Sequence, residues 1–176
     1  MSNQAHETVL FSQSQIAVRV ADIADEIAAR APKPDIVVPI LQGAFVFAAD
    51  LVRALAYRGL DLPTEFLWLR AYGNRERAGD VRVLVAPSDI VRGRNILLID
   101  GVLESGATAA RARELLLEAG AISVAFAVAV RKPHPHAAIA ADHVCFEAGP
   151  EFLYGYGMDR SGLARGLPDI RISVSD

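Results

Sequence analysis

Residues 100–108 read Asp100-Gly101-Val102-Leu103-Glu104-Ser105-Gly106-Ala107-Thr108. Two carboxylates stand four positions apart, beside two hydroxyls and two glycines, just ahead of a stretch of helical composition. The free N–H groups and dipole of a helix N-terminus favour a phosphate, and Ser105 and Thr108 add donors. The plainer alternative is that Ser105 caps the helix. Asp100 and Glu104 argue against that alternative alone. Carboxylates beside a phosphate nest are costly unless they meet a metal ion or sugar hydroxyls. A second loop, Leu41-Gln42-Gly43, ends another apolar run. Open parallel sheets bind ligands where such loops leave the carboxyl ends of their strands.

Other residues are less specific alone. The chain has 16 Arg and only two Lys, Lys33 and Lys132. An ammonium suits donation to one carbonyl oxygen where a planar guanidinium fits poorly. An ordinary surface lysine before Pro133 is the alternative. Asp159 alone reads as a solvated loop acid. His134-Pro135-His136 has no third ligand in sequence and reads as loop, Cys145 as core and Trp68 as packing. Gly101 to Thr108 matches G-x-x-x-x-G-K-[ST] except that Ala107 replaces the lysine that reaches the β/γ-phosphates, which argues against a nucleotide triphosphatase. Neither strand is followed by G-x-G-x-x-G, so a dinucleotide fold has no support.

These loops need elements to position them. Ser12 and Gln15 form a capping-box pattern, followed by a helical stripe of Ile16, Val20, Ile23 and Ile27. Pro32 and Pro34 end that helix. Residues 35–41 form a short apolar run rich in β-branched residues, as expected of a strand buried on both faces. A helix over 44–58, stopped by Gly59, and a strand over 64–72 follow. Residues 73–81 carry charges between glycines and are expected to form a flap. A strand over 81–87 follows. A strand over 96–100, a loop over 101–106, a helix over 108–119 and a strand over 121–130 then make a right-handed βαβ unit. The expected fold is α/β, an open, doubly wound, mostly parallel sheet. Residues 1–176 form one domain, with a small hood made from the N-terminal segment and about 143–176.

Composition sets the outer limits. The chain has 176 residues, 52% hydrophobic and 22% charged, enough for one substantial core. A net charge of −3 makes nucleic acid and anionic membranes poor default partners. A single cysteine permits no intramolecular disulfide and fits a reducing compartment. The polar start lacks the pattern of a secretory signal, and no apolar run approaches the roughly 18 residues of a membrane span. The expected location is the cytoplasm.

ILLIDGVLESGAT resembles the phosphoribosyl diphosphate (PRPP) signature of type I phosphoribosyltransferases. VLFSQSQI, PILQGAFVFAADLVRAL, RAYGN and FLYGYGMDRSGLARGLPDI resemble, in the same order, segments of the hypoxanthine-guanine phosphoribosyltransferases. The resemblance covers roughly residues 9–173. It implies transfer of the ribose 5-phosphate of PRPP to a 6-oxopurine with release of pyrophosphate, Mg²⁺ dependence and a homodimer or homotetramer. Ser105, Gly106, Ala107 and Thr108 would cradle the 5′-phosphate, and Asp100 would meet the ribose hydroxyls directly or through Mg²⁺. Glu104 would be the general base near N7. Lys132 would donate to the 6-oxygen, Phe152 would stack on the base and the Leu153 backbone would read its edge. Asp159 would hold Mg²⁺. Arg165 would clamp the pyrophosphate, and Leu41, Gln42 and Gly43 would offer it backbone amides, with a cis or strained peptide among them. Tyr72 would sit on the flap.

The departures from the family pattern are specific. Gly101 replaces the second acid of the signature, Glu104 replaces an aspartate, Gln42 replaces a lysine and Ala71 replaces a common serine. The missing acid predicts weak PRPP binding, tightened by Gly101→Asp. It also leaves a second reading open, a catalytically weak relative that binds a purine nucleotide as a sensor.

Overall fold

The computed structural model describes residues 6–71 and 81–174. Its strands are β1 (His6–Phe11), β2 (Ile36–Leu41), β3 (Leu67–Ala71), β4 (Val81–Val85), β5 (Asn95–Leu103), β6 (Ser123–Arg131), β7 (His143–Glu147), β8 (Leu153–Tyr154) and β9 (Ile170–Val174). The helices are α1 (Gln13–Ala29), α2 (Phe45–Ala56) and α3 (Ala107–Glu118).

Helix α1 starts at the expected capping box. The Gln15 amide donates to Ser12 Oγ at 3.4 Å, and the Ser12 amide donates to Gln15 Oε1 at 2.9 Å. The reciprocal pair satisfies two donors that the helix itself leaves unpaired. Ile16, Val20, Ile23, Ala24 and Ile27 are buried, as the stripe requires.

Six strands form the central sheet in the order β4-β3-β2-β5-β6-β7. All neighbours are parallel except β3 and β4. Alternation along the strands sends Val37, Leu97 and Ile99 into a core shared with α1 and α2. Ile36, Val38, Ile40, Ile96 and Leu98 face the opposite core, beneath α3. The chain runs outward from β2 to β4, then returns to β5 and runs outward on the other side. Strand order therefore reverses between β2 and β5, the place where open α/β sheets leave a crevice.

Two expected boundaries move. Strand β5 does not stop at Asp100; it continues to Leu103, with Val102 opposite Val130 and Leu103 opposite Arg131 of β6. The long partner strand holds the ladder together past Gly101, which alone reads as a break. Residues 143–147 belong to the central sheet as β7, not to the hood. The small second sheet is antiparallel, in the order β1-β9-β8. No helix among the described residues is long and apolar enough to cross a membrane.

Candidate active site

The crevice between β2 and β5 opens into a cleft of about 420 Å³. Of the residues singled out above, Gly43, Asp100, Glu104, Lys132, Phe152, Leu153, Asp159 and Arg165 line it together. Asp100, Val102 and Glu104 share it because they stand at alternate positions at the end of β5. That period of two could have found Val102, which motif reading missed. Met158 and Ser161 were also missed. Their signal was the glycine-rich run 155–162, whose turns bring both residues to the cleft.

Lys132 follows the last residue of β6 and is only 9% exposed. Its amide donates to the Leu103 carbonyl at 2.8 Å, and its Nζ donates to Glu104 Oε1 at 3.1 Å. A buried ammonium needs such a partner. Glu104 is much more open, with its side chain 47% exposed. The pair sets a donor beside an acceptor at the wall of the cleft. Phe152 is 51% exposed, an apolar ring left open beside that pair. Leu153 is buried in β8.

Asp100 accepts from the Gly101 amide at 2.7 Å. Burial raises its pKa to about 7, and that one backbone bond only partly offsets the rise. Asp159 accepts from Arg165 Nη2 at 2.7 Å and from the Gly162 amide at 2.9 Å. Arg165 Nη1 also donates to the Gly157 carbonyl at 2.8 Å. The two acids line one cleft. Their hard oxygen donors suit Mg²⁺, which is commonly held by one or two carboxylates together with substrate phosphates. No cluster of three or more His, Cys, Asp or Glu residues that could hold a metal occurs among the described residues.

Ser105, Gly106, Ala107 and Thr108 make the turn into α3. Gly106 is the N-cap, with φ 74°, and no side chain caps the helix there. A Cβ at Gly106 would stand 3.0 Å from Ile139 and 3.1 Å from Leu103, so the turn requires glycine on both counts. The Ala107 amide reaches Ser105 Oγ at 3.5 Å. At the end of β2 the Leu41–Gln42 peptide is cis, and Gln42 is exposed.

Gly101 is not a vacancy. It is buried, and a Cβ there would stand 2.7 Å from the Gly43 carbonyl oxygen. An aspartate could not enter without moving backbone, so the packing works against the tighter binding expected of Gly101→Asp. Tyr72 and residues 73–80 of the expected flap lie outside the described residues. His134 accepts from the His136 amide at 3.2 Å, a local loop contact. Cys145 is buried in β7, and burial pushes its thiol up to about 12.

The phosphoribosyl transferase domain family matches residues 8–161. The hypoxanthine-guanine phosphoribosyltransferase of Aquifex aeolicus (strain VF5) is 31% identical over 166 residues, 92% of each chain. The chain belongs to the hypoxanthine-guanine phosphoribosyltransferase family. The family enzyme of Bacillus subtilis (strain 168) is also 31% identical, over 94% of this chain and 92% of that one. A hypoxanthine phosphoribosyl transferase of Trypanosoma cruzi superposes with a TM-score of 0.88 at 25% identity, covering 99% of this chain and 94% of its own. A mutant of the Trypanosoma cruzi enzyme, solved as a ternary substrates complex, superposes with a TM-score of 0.85 at 25% identity over 97% and 96%.

Proposed function

We propose that the chain joins hypoxanthine or guanine to the ribose 5-phosphate of PRPP and releases pyrophosphate, the salvage of a purine base. The observation that carries this reading is the Lys132–Glu104 pair at the wall of the cleft shared with Asp100, Asp159 and Arg165. Lys132 donates to the 6-oxygen. Glu104 accepts the N7 proton as general base, and Phe152 covers the ring while the Leu153 backbone reads its edge. Ser105 to Thr108 hold the 5′-phosphate at the start of α3. Arg165 and the amides of residues 41–43 hold the pyrophosphate, where negative charge grows as the sugar bond breaks. Asp100 and Asp159 would hold Mg²⁺, which supplies charge neutralisation for the leaving pyrophosphate when bound. Tyr72 and the flap would exclude water from the reacting sugar.

The chain would work in the cytoplasm, where its buried Cys145 stays reduced, and as a homodimer or homotetramer. One observation favours the sensor reading: Gly101 supplies no second carboxylate to the ribose, and its packing leaves no room for one. A single assay decides. With PRPP and Mg²⁺, nucleotide should form from hypoxanthine or guanine and not from adenine, whose 6-amino group faces Lys132. A site built for one polar partner discriminates by about 10⁴ or more. Comparable rates with adenine would remove Lys132 from its role. Tight nucleotide binding without turnover on any base would establish the sensor.

A further inference from the structure

The Gly43 carbonyl sits in a slot walled by two glycines from distant parts of the chain. A Cβ on Gly101 would stand 2.7 Å from that oxygen and 3.1 Å from its carbon. A Cβ on Gly157 would stand 2.6 Å from the same oxygen and 3.5 Å from the Val46 side chain. Gly101 lies on β5 next to Asp100. Gly157 lies in the turn that precedes Asp159, and its own carbonyl accepts from Arg165. One backbone atom of the 41–43 loop therefore lies against β5 beside Asp100 and against the turn that leads to Asp159 and accepts from Arg165.

We propose that Gly101 and Gly157 are positioning residues for the pyrophosphate end of the site. Their bare Cα atoms let the 41–43 loop close against β5 on one side and the 155–159 turn on the other. The proposal rests on the reaction assigned above. It makes Gly101 a requirement of loop placement in this chain, beyond the absence of a carboxylate for the sugar. Any side chain at either position pushes the Gly43 carbonyl outward and moves the loop amides relative to Arg165. The base wall and the 5′-phosphate turn are built from other atoms, Lys132 with Glu104 and residues 105–108, and keep their places.

The test compares ligands that use different ends of the site. Gly101→Ala is the first variant, because Gly101 does not have the positive φ that strains a side chain at Gly157 (φ +96°). Wild type and variant are titrated by calorimetry with Mg²⁺–pyrophosphate and separately with inosine 5′-monophosphate. KM for PRPP and for hypoxanthine is measured alongside. A misplacement of about 1 Å can cost on the order of 10²-fold, so pyrophosphate affinity and PRPP KM should worsen by about 10- to 100-fold. Inosine monophosphate affinity and hypoxanthine KM should stay within about threefold, since the base and 5′-phosphate contacts lie elsewhere and residue 101 keeps the amide from which Asp100 accepts. Pyrophosphate binding within about twofold of wild type, or equal loss for both ligands, overturns the proposal. If Gly101→Ala does not fold, Gly157→Ala is titrated in the same way. Failure of both to fold also overturns it, because the slot would then serve the fold as a whole. Wild-type turnover tests the assigned reaction separately, and the pyrophosphate comparison can be read even if turnover is absent.

Discussion

Asp100 is a half-buried carboxyl at the place where a cation-bound sugar phosphate would arrive. Its folded pKa of about 7 lies above the ordinary carboxylate value of 3.8 because burial opposes ionisation. The folded protein thus holds a proton that the unfolded chain has released. Asp100's contribution to stability is greatest below about 4, falls as pH rises toward about 7 and is least favourable above that. Asp100→Asn should therefore melt higher than wild type at about pH 8, with the gap closing near pH 4, while losing affinity for PRPP with Mg²⁺. Thermal melts at both pH values check the first half, and a PRPP titration checks the second; a gap that does not depend on pH would refute the assignment. Glu104 faces a different demand. It is open to solvent and paired with the buried Lys132. Glu104→Gln should lower kcat by about 10²–10⁴ with little change in PRPP KM. A fall of less than about threefold would leave Glu104 as a holder of Lys132.

At the scale of elements, legibility followed locality. Helix α1 could be read because its cap and its apolar stripe lie within a few turns of one another. Ser12→Ala should cost about 0.5–2 kcal/mol and leave turnover unchanged, measured by denaturant unfolding beside the activity assay. The phosphate turn could be read because hydroxyls, glycine and helix start are consecutive. The end of β5 could not, because pairing with Val130 and Arg131 of β6 decides where that strand stops. The contact between Gly101 and Gly43 was hidden for the same reason: each glycine is ordinary in its own neighbourhood, and only the folded sheet presses them together. Val102 lay between these extremes. It has the strand period of its neighbours, but motif reading selects charged residues and passes over a valine.

At the scale of the molecule, the base end of the site depends on how the small sheet sits on the large one. Tyr156 is part of that join. Its hydroxyl donates to Asp50 Oδ2 of α2 at 2.7 Å, its ring lies 6.5 Å from that of Phe47, and burial holds its pKa above the usual phenol value. Tyr156→Phe keeps the ring and removes the bond. A hydrogen bond to a charged group contributes about 1.5–3 kcal/mol, so stability should fall by that order. KM for the purine should rise more than KM for PRPP, because Phe152 and Leu153 ride on the tethered segment. An unchanged melting temperature would show that the tether carries no weight.

Strand β1 pairs along its length with β9, from His6 opposite Val174 to Phe11 opposite Ile170. This is the most sequence-distant strand pairing among the described residues, whereas β5, α3 and β6 are consecutive. Closing long loops costs entropy that nearby contacts avoid, so such pairings tend to form late. The β5–α3–β6 unit and the β8–β9 pair, both local in sequence, would then form first, and β1 would close the small sheet last. Until it does, a refolding chain would show one edge of β9 unpaired, the kind of edge on which chains associate.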